Sequence, residues 1–202
     1  MKTDSKHSAG LSRRFVLKCL AGASAALAAF PLAAHAEPAD GDRKLVLFFS
    51  HSGNTRRLAA MLHERVGGDM AELKTQEPYP QDYEAATRQA KRELKAGARP
   101  VLAAEPPRLD GYGTVFLGYP IWWGTMPMAL FTLLERHDFS GKTIVPFCTH
   151  GGSRLGRSVE DIKKLCPRAR VLKGFAAFGD RVDEAGGQVD AWLRGLGFAP
   201  AQ

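Results

Sequence analysis

Short apolar runs recur along the chain and are separated by segments in which apolar residues return at helical spacing. The first run, residues 44–50 (KLVLFFS), is continuous and bounded by turn-forming residues, which is typical of a strand buried on both faces of a parallel sheet. Comparable runs predict four more strands, over residues 69–74, 114–119, 143–149 and 170–178. Pro146 weakens the fourth prediction, because proline cannot donate a hydrogen bond to a neighbouring strand.

Helices are predicted between these strands. Apolar residues recur every three or four positions from Leu58 to Val66, and the Gly67-Gly68 pair marks the end of that helix. Further helices are predicted over residues 82–95, 127–137, 159–166 and 182–196. Strands that alternate with helices five times indicate an α/β domain, with a five-stranded parallel sheet between two helical layers. Ligands of such sheets bind beyond the carboxyl ends of the strands.

The first 36 residues have the features of an export signal. Residues 12–18 (SRRFVLK) resemble a twin-arginine signal, an Ala-rich apolar run follows, and Ala34-His35-Ala36 offers an A-x-A cleavage site. We therefore expect export by the twin-arginine machinery, cleavage after Ala36 and a periplasmic protein with no membrane span. A short amphipathic helix or an uncleaved anchor are the alternatives. Residues 37–43 form a predicted linker, and residues 44–198 the folded domain.

Charge and cysteine content narrow the possible functions. The chain carries a formal net charge of +7, and four of those charges lie in residues 1–36, which leaves +3 on the remainder. Its Lys and Arg residues are scattered, so nucleic-acid binding is not expected. No C-x-x-C or H-E-x-x-H motif is present, and no metal site is expected. Cys148 and Cys166 are predicted to be buried thiols, although a periplasmic location also permits a disulfide.

The loop after the first strand is suited to an anion. It leads directly into a helix, whose first backbone N–H groups lack partners within the helix and attract negative charge. Gly53 permits close backbone approach, and neutral hydrogen-bonding residues surround it. It lacks both the Walker A and the G-x-G-x-x-G patterns. The candidate phosphate-binding residues are Ser50, Ser52, Gly53, Asn54 and Thr55. The alternative is simple helix capping by Ser or Asn.

The loop after the third strand carries two adjacent tryptophans on a stretch stiffened by prolines. Aromatic faces at the carboxyl edge of a sheet can stack on a planar ring system. The alternative is a hydrophobic plug that covers the edge of the domain. The candidate ring-binding residues are Pro120, Ile121, Trp122, Trp123 and Gly124.

The loop after the fourth strand contains paired glycines, which permit close approach of the backbone to a ligand. Its candidate residues are Thr149, His150, Gly151, Gly152 and Ser153. A lone histidine is more often structural than catalytic, so His150 is assigned no catalytic role.

Taken together, S-H-S-G-N-T after the first strand, PIWWGTMP and PFCTHGGS resemble the flavodoxin-like FMN-binding proteins of the short-chain type. The resemblance covers residues 44–196. It implies strand order 2-1-3-4-5 and FMN at the point where the strand order reverses. It also implies that residues 50–55 cradle the phosphate, while residues 120–124 and 149–153 flank the isoalloxazine ring.

We therefore expect an FMN-binding electron-transfer protein that exchanges electrons with a redox partner protein. No residue needs to act as an acid or base, so no catalytic residue is predicted. One alternative is an FMN-dependent NAD(P)H:quinone-type reductase, and another is a flavin-free binding protein on the same fold. The chain departs from many flavodoxins in being slightly basic. It also lacks the aromatic residue common after the fourth strand, where the alternatives are that His150 stands in its place or that this face of the flavin is more open.

Overall fold

A parallel sheet flanked by helices forms the part of the chain that this computed structural model describes, residues 43–198. The strands are β1 Lys44–Phe49, β2 Asp69–Leu73, β3 Thr114–Pro120, β4 Thr143–His150, β5 Arg170–Val171 and β6 Phe175–Phe178. The helices are α1 Asn54–Val66, α2 Tyr83–Ala96, α3 Met128–Arg136, α4 Ser158–Leu165 and α5 Gly186–Gly195. The predicted signal segment and all but the last residue of the predicted linker lie outside the described residues.

The strand order confirms the predicted fold. The strands follow one another as β2-β1-β3-β4, with β5 and β6 both beside β4, and every pairing is parallel. Alternate residues of β1, β3, β4 and β6 enter two separate apolar cores, because successive side chains point to opposite faces. Helices α1 and α5 cover one face, and α3 and α4 cover the other. The carboxyl ends of β1, β3, β4 and β6 therefore share one edge.

The predicted fifth strand, residues 170–178, is divided in two. Val171 lies opposite Ile144 and Phe175 opposite Phe147, so the edge strand advances four residues while β4 advances three. Pro146 lies in β4 at the break and has no N–H to donate to the edge strand. The edge strand therefore accommodates its extra residue as a β-bulge beside Pro146, where the hydrogen bonds between β4 and the edge strand already lack one donor.

The closing helix starts later than predicted. Val182 is fully buried but lies in a 3-10 turn, Gly179–Glu184, which precedes α5. This turn follows β6 directly and so places its first residues at the carboxyl edge of the sheet. Within residues 43–198, no helix combines the length and apolar character needed to cross a membrane.

Both cysteines of the described domain are buried free thiols, as predicted. Burial raises the pKa of Cys148 to about 12. Burial and the nearby Asp138 raise the pKa of Cys166 to about 11. The two thiols are therefore protonated near neutral pH and take part in core packing.

Candidate functional site

A cavity of about 630 Å³ opens at the carboxyl edge of the sheet. Nine of the predicted site residues line it: Ser52, Asn54, Pro120, Ile121, Trp122, Trp123, Thr149, His150 and Gly151. The other six predicted residues do not line it: Ser50, Gly53, Thr55, Gly124, Gly152 and Ser153. His51, within the predicted phosphate-binding range 50–55, lines it as well. Eight further lining residues were not predicted from the sequence: Tyr83, Ala86, Thr87, Ala90, Phe178, Gly179, Asp180 and Arg181. The cavity thus has walls from α2 and from the segment after β6, in addition to the three predicted loops.

The start of α1 keeps backbone donors free. Gly53 precedes the helix with a φ of 88°, and no side chain caps the helix from that position. The Arg56 N–H donates to Oγ of Ser50 at 3.2 Å. Among residues 43–198, the N–H groups of Asn54 and Thr55 have no acceptor. Capping by Ser50 is therefore partial, and the helix start retains the unpartnered donors and positive dipole end that suit an anion.

Thr55 contributes through its backbone. Its side chain is buried, and its hydroxyl forms a 2.8 Å hydrogen bond with the hydroxyl of Thr149. This bond ties the loop after β1 to the end of β4. The Thr55 hydroxyl is consequently engaged within the protein, while its N–H remains available.

The segment after β6 packs against the same helix start. A Cβ on Gly179 would lie 2.7 Å from Nδ2 of Asn54, so any larger residue would have to displace this side chain or the segment itself. Oδ1 of Asn54 accepts a hydrogen bond of 2.9 Å from Arg57, which also forms an ion pair with Asp183. The helix start and the segment after β6 thus form one continuous wall of the cavity.

Trp122 belongs to an aromatic cluster at the inner end of the cavity. Its ring meets those of Phe49, His51 and Tyr79 edge-on, at centroid distances of 5.7, 5.7 and 4.9 Å. Its backbone exchanges hydrogen bonds with Thr125 in both directions, at 2.8 and 3.1 Å. Trp122 therefore acts in part as the plug that the sequence offered as an alternative, although its ring also reaches the cavity.

Trp123 presents an exposed face at the cavity. It adopts a φ of 50°, which is uncommon for a residue with a bulky side chain, and 45% of its surface is exposed. Its Nε1–H donates to the carbonyl of Thr87 at 3.0 Å, and the ammonium of Lys91 lies 4.4 Å from its ring. Tyr83 and Phe178 are also exposed aromatics that line the cavity. Three aromatic side chains thus border its mouth.

The loop after β3 is fastened to the segment after β4. The carbonyl of Gly124 accepts the Arg157 N–H at 2.9 Å. A Cβ on Gly156, whose φ is +52°, would lie 2.2 Å from that carbonyl oxygen. Thr125 also donates to Asp161 at 2.6 Å. Gly124 therefore holds the tryptophan loop in place from outside the cavity.

His150 ends β4 and is buried, yet it lines the cavity. Its Nδ1 accepts the Gly152 N–H at 2.9 Å, and its ring lies 4.5 Å from that of Phe178. Burial, aided by the positive charge of Arg154, holds the pKa of His150 below its usual range. The side chain is thus a neutral imidazole at pH 7, with its proton on Nε2.

Charged groups are few at the cavity. Asp180 and Arg181 are the only permanently charged side chains that line it in the described part of the chain. They lie 3.9 Å apart, and both are more than half exposed. The guanidinium of Arg181 lies 4.6 Å from the Phe178 ring. No group of three or more His, Cys, Asp or Glu within residues 43–198 is placed to hold a metal ion.

Comparisons with known proteins show what this arrangement resembles. Residues 43–194 match the protein family described as Flavodoxin. A candidate flavoprotein from Bacteroides eggerthii DSM 20697 is 31% identical over 77% of this chain and 98% of its own, with a TM-score of 0.66. The flavoprotein from Lactobacillus acidophilus NCFM, solved in complex with FMN, is 20% identical over 71% and 97%, with a TM-score of 0.58. Curated proteins gave no match.

Proposed function

This chain belongs to the flavodoxin family, and on that premise we propose that it binds FMN in the cavity and transfers electrons to or from a partner protein in the periplasm. The observation that carries the proposal is the pair of unpartnered N–H groups, of Asn54 and Thr55, at the start of a helix beside an aromatic-walled cavity. A flavoprotein of the same fold was solved with FMN.

The residues present fit FMN. The start of α1 supplies backbone donors and a positive dipole end for one phosphate group. Trp122 and Trp123 offer aromatic surface for the isoalloxazine ring, and His150 offers an N–H donor. The volume of about 630 Å³ lies within the usual range of small-molecule sites. When bound, FMN supplies the capacity to accept and release electrons, while the chain binds it, orients it and controls access to it.

Cation placement favours an acidic partner. Lys91 lies over Trp123, Arg181 lies over Phe178, and the charge of Arg154 reaches His150. Within the described domain, Lys91 and Arg154 form no ion pair, and Arg181 has only the exposed Asp180 within 4 Å. Exposed aromatics ringed by cations resemble the central and outer zones of a protein–protein interface. A partner with an acidic surface would approach this mouth under electrostatic attraction.

A second candidate is the NAD(P)H:quinone-type reductase. The exposed rings of Tyr83, Trp123 and Phe178 favour it, since a planar substrate could stack on them. Reduced nicotinamides are cytoplasmic, which makes them poor donors for an exported protein, and the chain carries no second nucleotide-binding motif.

Anaerobic mixing with NADH or NADPH separates these functions. The FMN-loaded protein is expected to keep its visible absorbance for many minutes and then to lose it on addition of dithionite. Rapid bleaching by a reduced nicotinamide would establish the reductase instead. If the purified protein had no yellow colour and no affinity for added FMN, the alternative of a flavin-free binding protein would be supported instead.

The periplasmic location rests on the order of the signal features in residues 1–36. Twin-arginine export carries folded proteins, so FMN could be loaded before export. Sequencing the N-terminus of protein from the periplasmic fraction is expected to give Glu37. A matched chain with Arg13 and Arg14 replaced by Lys should remain in the cytoplasm. Full-length protein found only in the cytoplasm of the parent strain would contradict this part of the proposal.

A further inference from the structure

One wall of the cavity ends in a hydrogen-bond donor that the protein does not use. The Gly152 N–H occupies Nδ1 of His150, so the neutral imidazole carries its proton on Nε2. Among residues 43–198, Nε2 of His150 has no acceptor, and it is not one of the polar atoms buried away from solvent. The Nε2–H therefore remains free to donate to a molecule in the cavity.

The orientation of this donor is fixed. The Phe178 ring lies 4.5 Å from the imidazole between ring centroids, and the Gly152 N–H holds Nδ1 at 2.9 Å. Gly152 adopts a φ of +150°, and Gly151 and Gly152 have open space where a Cβ would be. A glycine pair thus lets the chain turn back so that one N–H meets the histidine. Such preorganisation reduces the entropy lost when a ligand binds.

The charges near this wall are positive. Arg154 lies close enough to His150 for its charge to act on the imidazole, and Arg181 lies over Phe178. Asp180 is the only carboxylate among the described lining residues, and it is 3.9 Å from Arg181. An anion at this wall would meet the N–H donor of His150 and the guanidinium of Arg181, with the positive charge of Arg154 acting from outside the lining, against a single exposed carboxylate.

The two redox forms of a flavin differ in charge. Two electrons and one proton convert the neutral isoalloxazine ring into its reduced anion, whose charge spreads over N1 and the C2 carbonyl oxygen. A donor and positive charges stabilise the anion more than the neutral ring. We propose that His150, supported by Arg154 and Arg181, makes this cavity bind reduced FMN more tightly than oxidised FMN. This inference rests on the proposed FMN site.

The dissociation constants of oxidised FMN and of anaerobic, dithionite-reduced FMN test it. For the parent protein, reduced FMN is expected to bind more tightly, and the midpoint potential should lie above that of free FMN. His150→Leu removes the donor and should lower the preference for reduced FMN about ten-fold, the effect of losing one hydrogen bond to a charged group. A ten-fold change corresponds to a midpoint potential lower by about 30 mV for a two-electron couple.

His150→Gln is the matched variant. Glutamine, like leucine, has no acceptor at the position of Nδ1 for the Gly152 N–H. Its amide can, however, place an N–H near the position of Nε2. This variant should therefore retain most of the preference for reduced FMN. Arg168→Gln, before β5 at the opposite edge of the sheet, should leave the preference unchanged. Circular dichroism establishes that each variant is folded. In the parent, ¹⁵N spectra of the imidazole should show the proton on Nε2 without FMN.

The outcomes separate the two proposals. A parent that binds neither form of FMN overturns the proposed function together with this inference. A parent that binds oxidised FMN as tightly as reduced FMN overturns this inference alone. Equal preferences in the parent and in folded His150→Leu, or an imidazole proton on Nδ1, would also overturn it.

Discussion

At the scale of single residues, Gly179 controls how closely two walls of the cavity approach. A Cβ there would lie 2.7 Å from Nδ2 of Asn54, a side chain already held by Arg57. To make room for a Cβ, either the Asn54 carboxamide must rotate away from Arg57 or the segment after β6 must move. Gly179 therefore contributes to the site because its lack of a side chain allows the two walls to pack closely, although it carries no reactive group.

Replacing Gly179 by alanine is expected to weaken FMN binding. The added methyl group must displace the Asn54 carboxamide or the segment after β6, and overpacking of this kind costs roughly 1–3 kcal/mol. If the bound state bears that cost, affinity falls about 5- to 150-fold, as measured by quenching of FMN fluorescence. Gly187→Ala is the control, because it lies in α5 with open space around the position and should stabilise the helix slightly. Equal affinities of Gly179→Ala and the parent would contradict the prediction.

His150 should make the protein less stable in mild acid. Its pKa in the folded state lies below its usual range, because of burial and the charge of Arg154. As the pH falls below about 6.5, the unfolded chain takes up a proton that the folded chain resists, so the free energy of unfolding falls. Protonation would also break the hydrogen bond from Gly152. Urea unfolding at pH 7.5 and 5.5 should show a smaller decrease for His150→Gln than for the parent. Identical decreases would show that His150 titrates normally.

At the scale of elements, the loop after β3 and the segment after β4 act as one unit. The carbonyl of Gly124 accepts the Arg157 N–H, and Asp161 of α4 accepts from Thr125. Both contacts hold the tryptophan loop from the side away from the cavity. The position of Trp123 therefore depends on residues that touch no ligand.

Gly156→Ala should displace this loop. The substitution places a Cβ 2.2 Å from the Gly124 carbonyl oxygen and also requires a positive φ. Gly141→Ala is the control: it also requires alanine to adopt a positive φ, but nothing lies within 4 Å of the added Cβ. We expect Gly141→Ala to lower the free energy of unfolding by about 1–2 kcal/mol with FMN affinity unchanged. Gly156→Ala should cost more and also weaken FMN binding. Matching losses of stability in the two variants would mean that the contact between Gly124 and Gly156 is unimportant.

Sequence patterns predicted the elements and three of the loops because their signals are local. Buried strands appear as apolar runs, and the first loop is a recognisable short motif. The wall from α2 had no such signal, since Ala86 and Ala90 are ordinary helical residues whose direction depends on tertiary packing. Phe178 could be placed only as the end of a strand. Conversely, Gly53 and Gly124 shape the backbone beside the cavity without lining it, a distinction that a motif alone does not make.

At the scale of the whole molecule, the balance of charge is positive. Residues 37–202 carry a formal net charge of +3, and cations lie beside the aromatics at the cavity mouth. Exposed charges act over about 10 Å at 0.1 M salt. Electron exchange should therefore depend on the charge of the partner and on salt.

Small oxidants of opposite charge measure this dependence. Reduced FMN in the protein gives one electron to each ferricyanide ion, and two such ions reoxidise one flavin. Oxidation by anionic ferricyanide should slow as salt increases, whereas oxidation by cationic hexaammineruthenium(III) should quicken. Arg181→Glu should reduce the salt dependence with ferricyanide more than Arg168→Glu does, because Arg168 precedes β5 at the far edge of the sheet. If the oxidation rates with both oxidants changed in the same direction as salt increased, the prediction of a positively charged cavity mouth would be wrong.

The divided edge strand has a consequence for how the protein behaves when crowded. A long, regular edge strand offers a row of donors and acceptors on which another chain can add, which is how fibrils and other aggregates begin. Here β5 and β6 are two and four residues long, and the bulge between them breaks the row. Trp192 already donates to the Lys173 carbonyl within that bulge. At high protein concentration, this broken edge should therefore resist the strand-to-strand addition that starts aggregation.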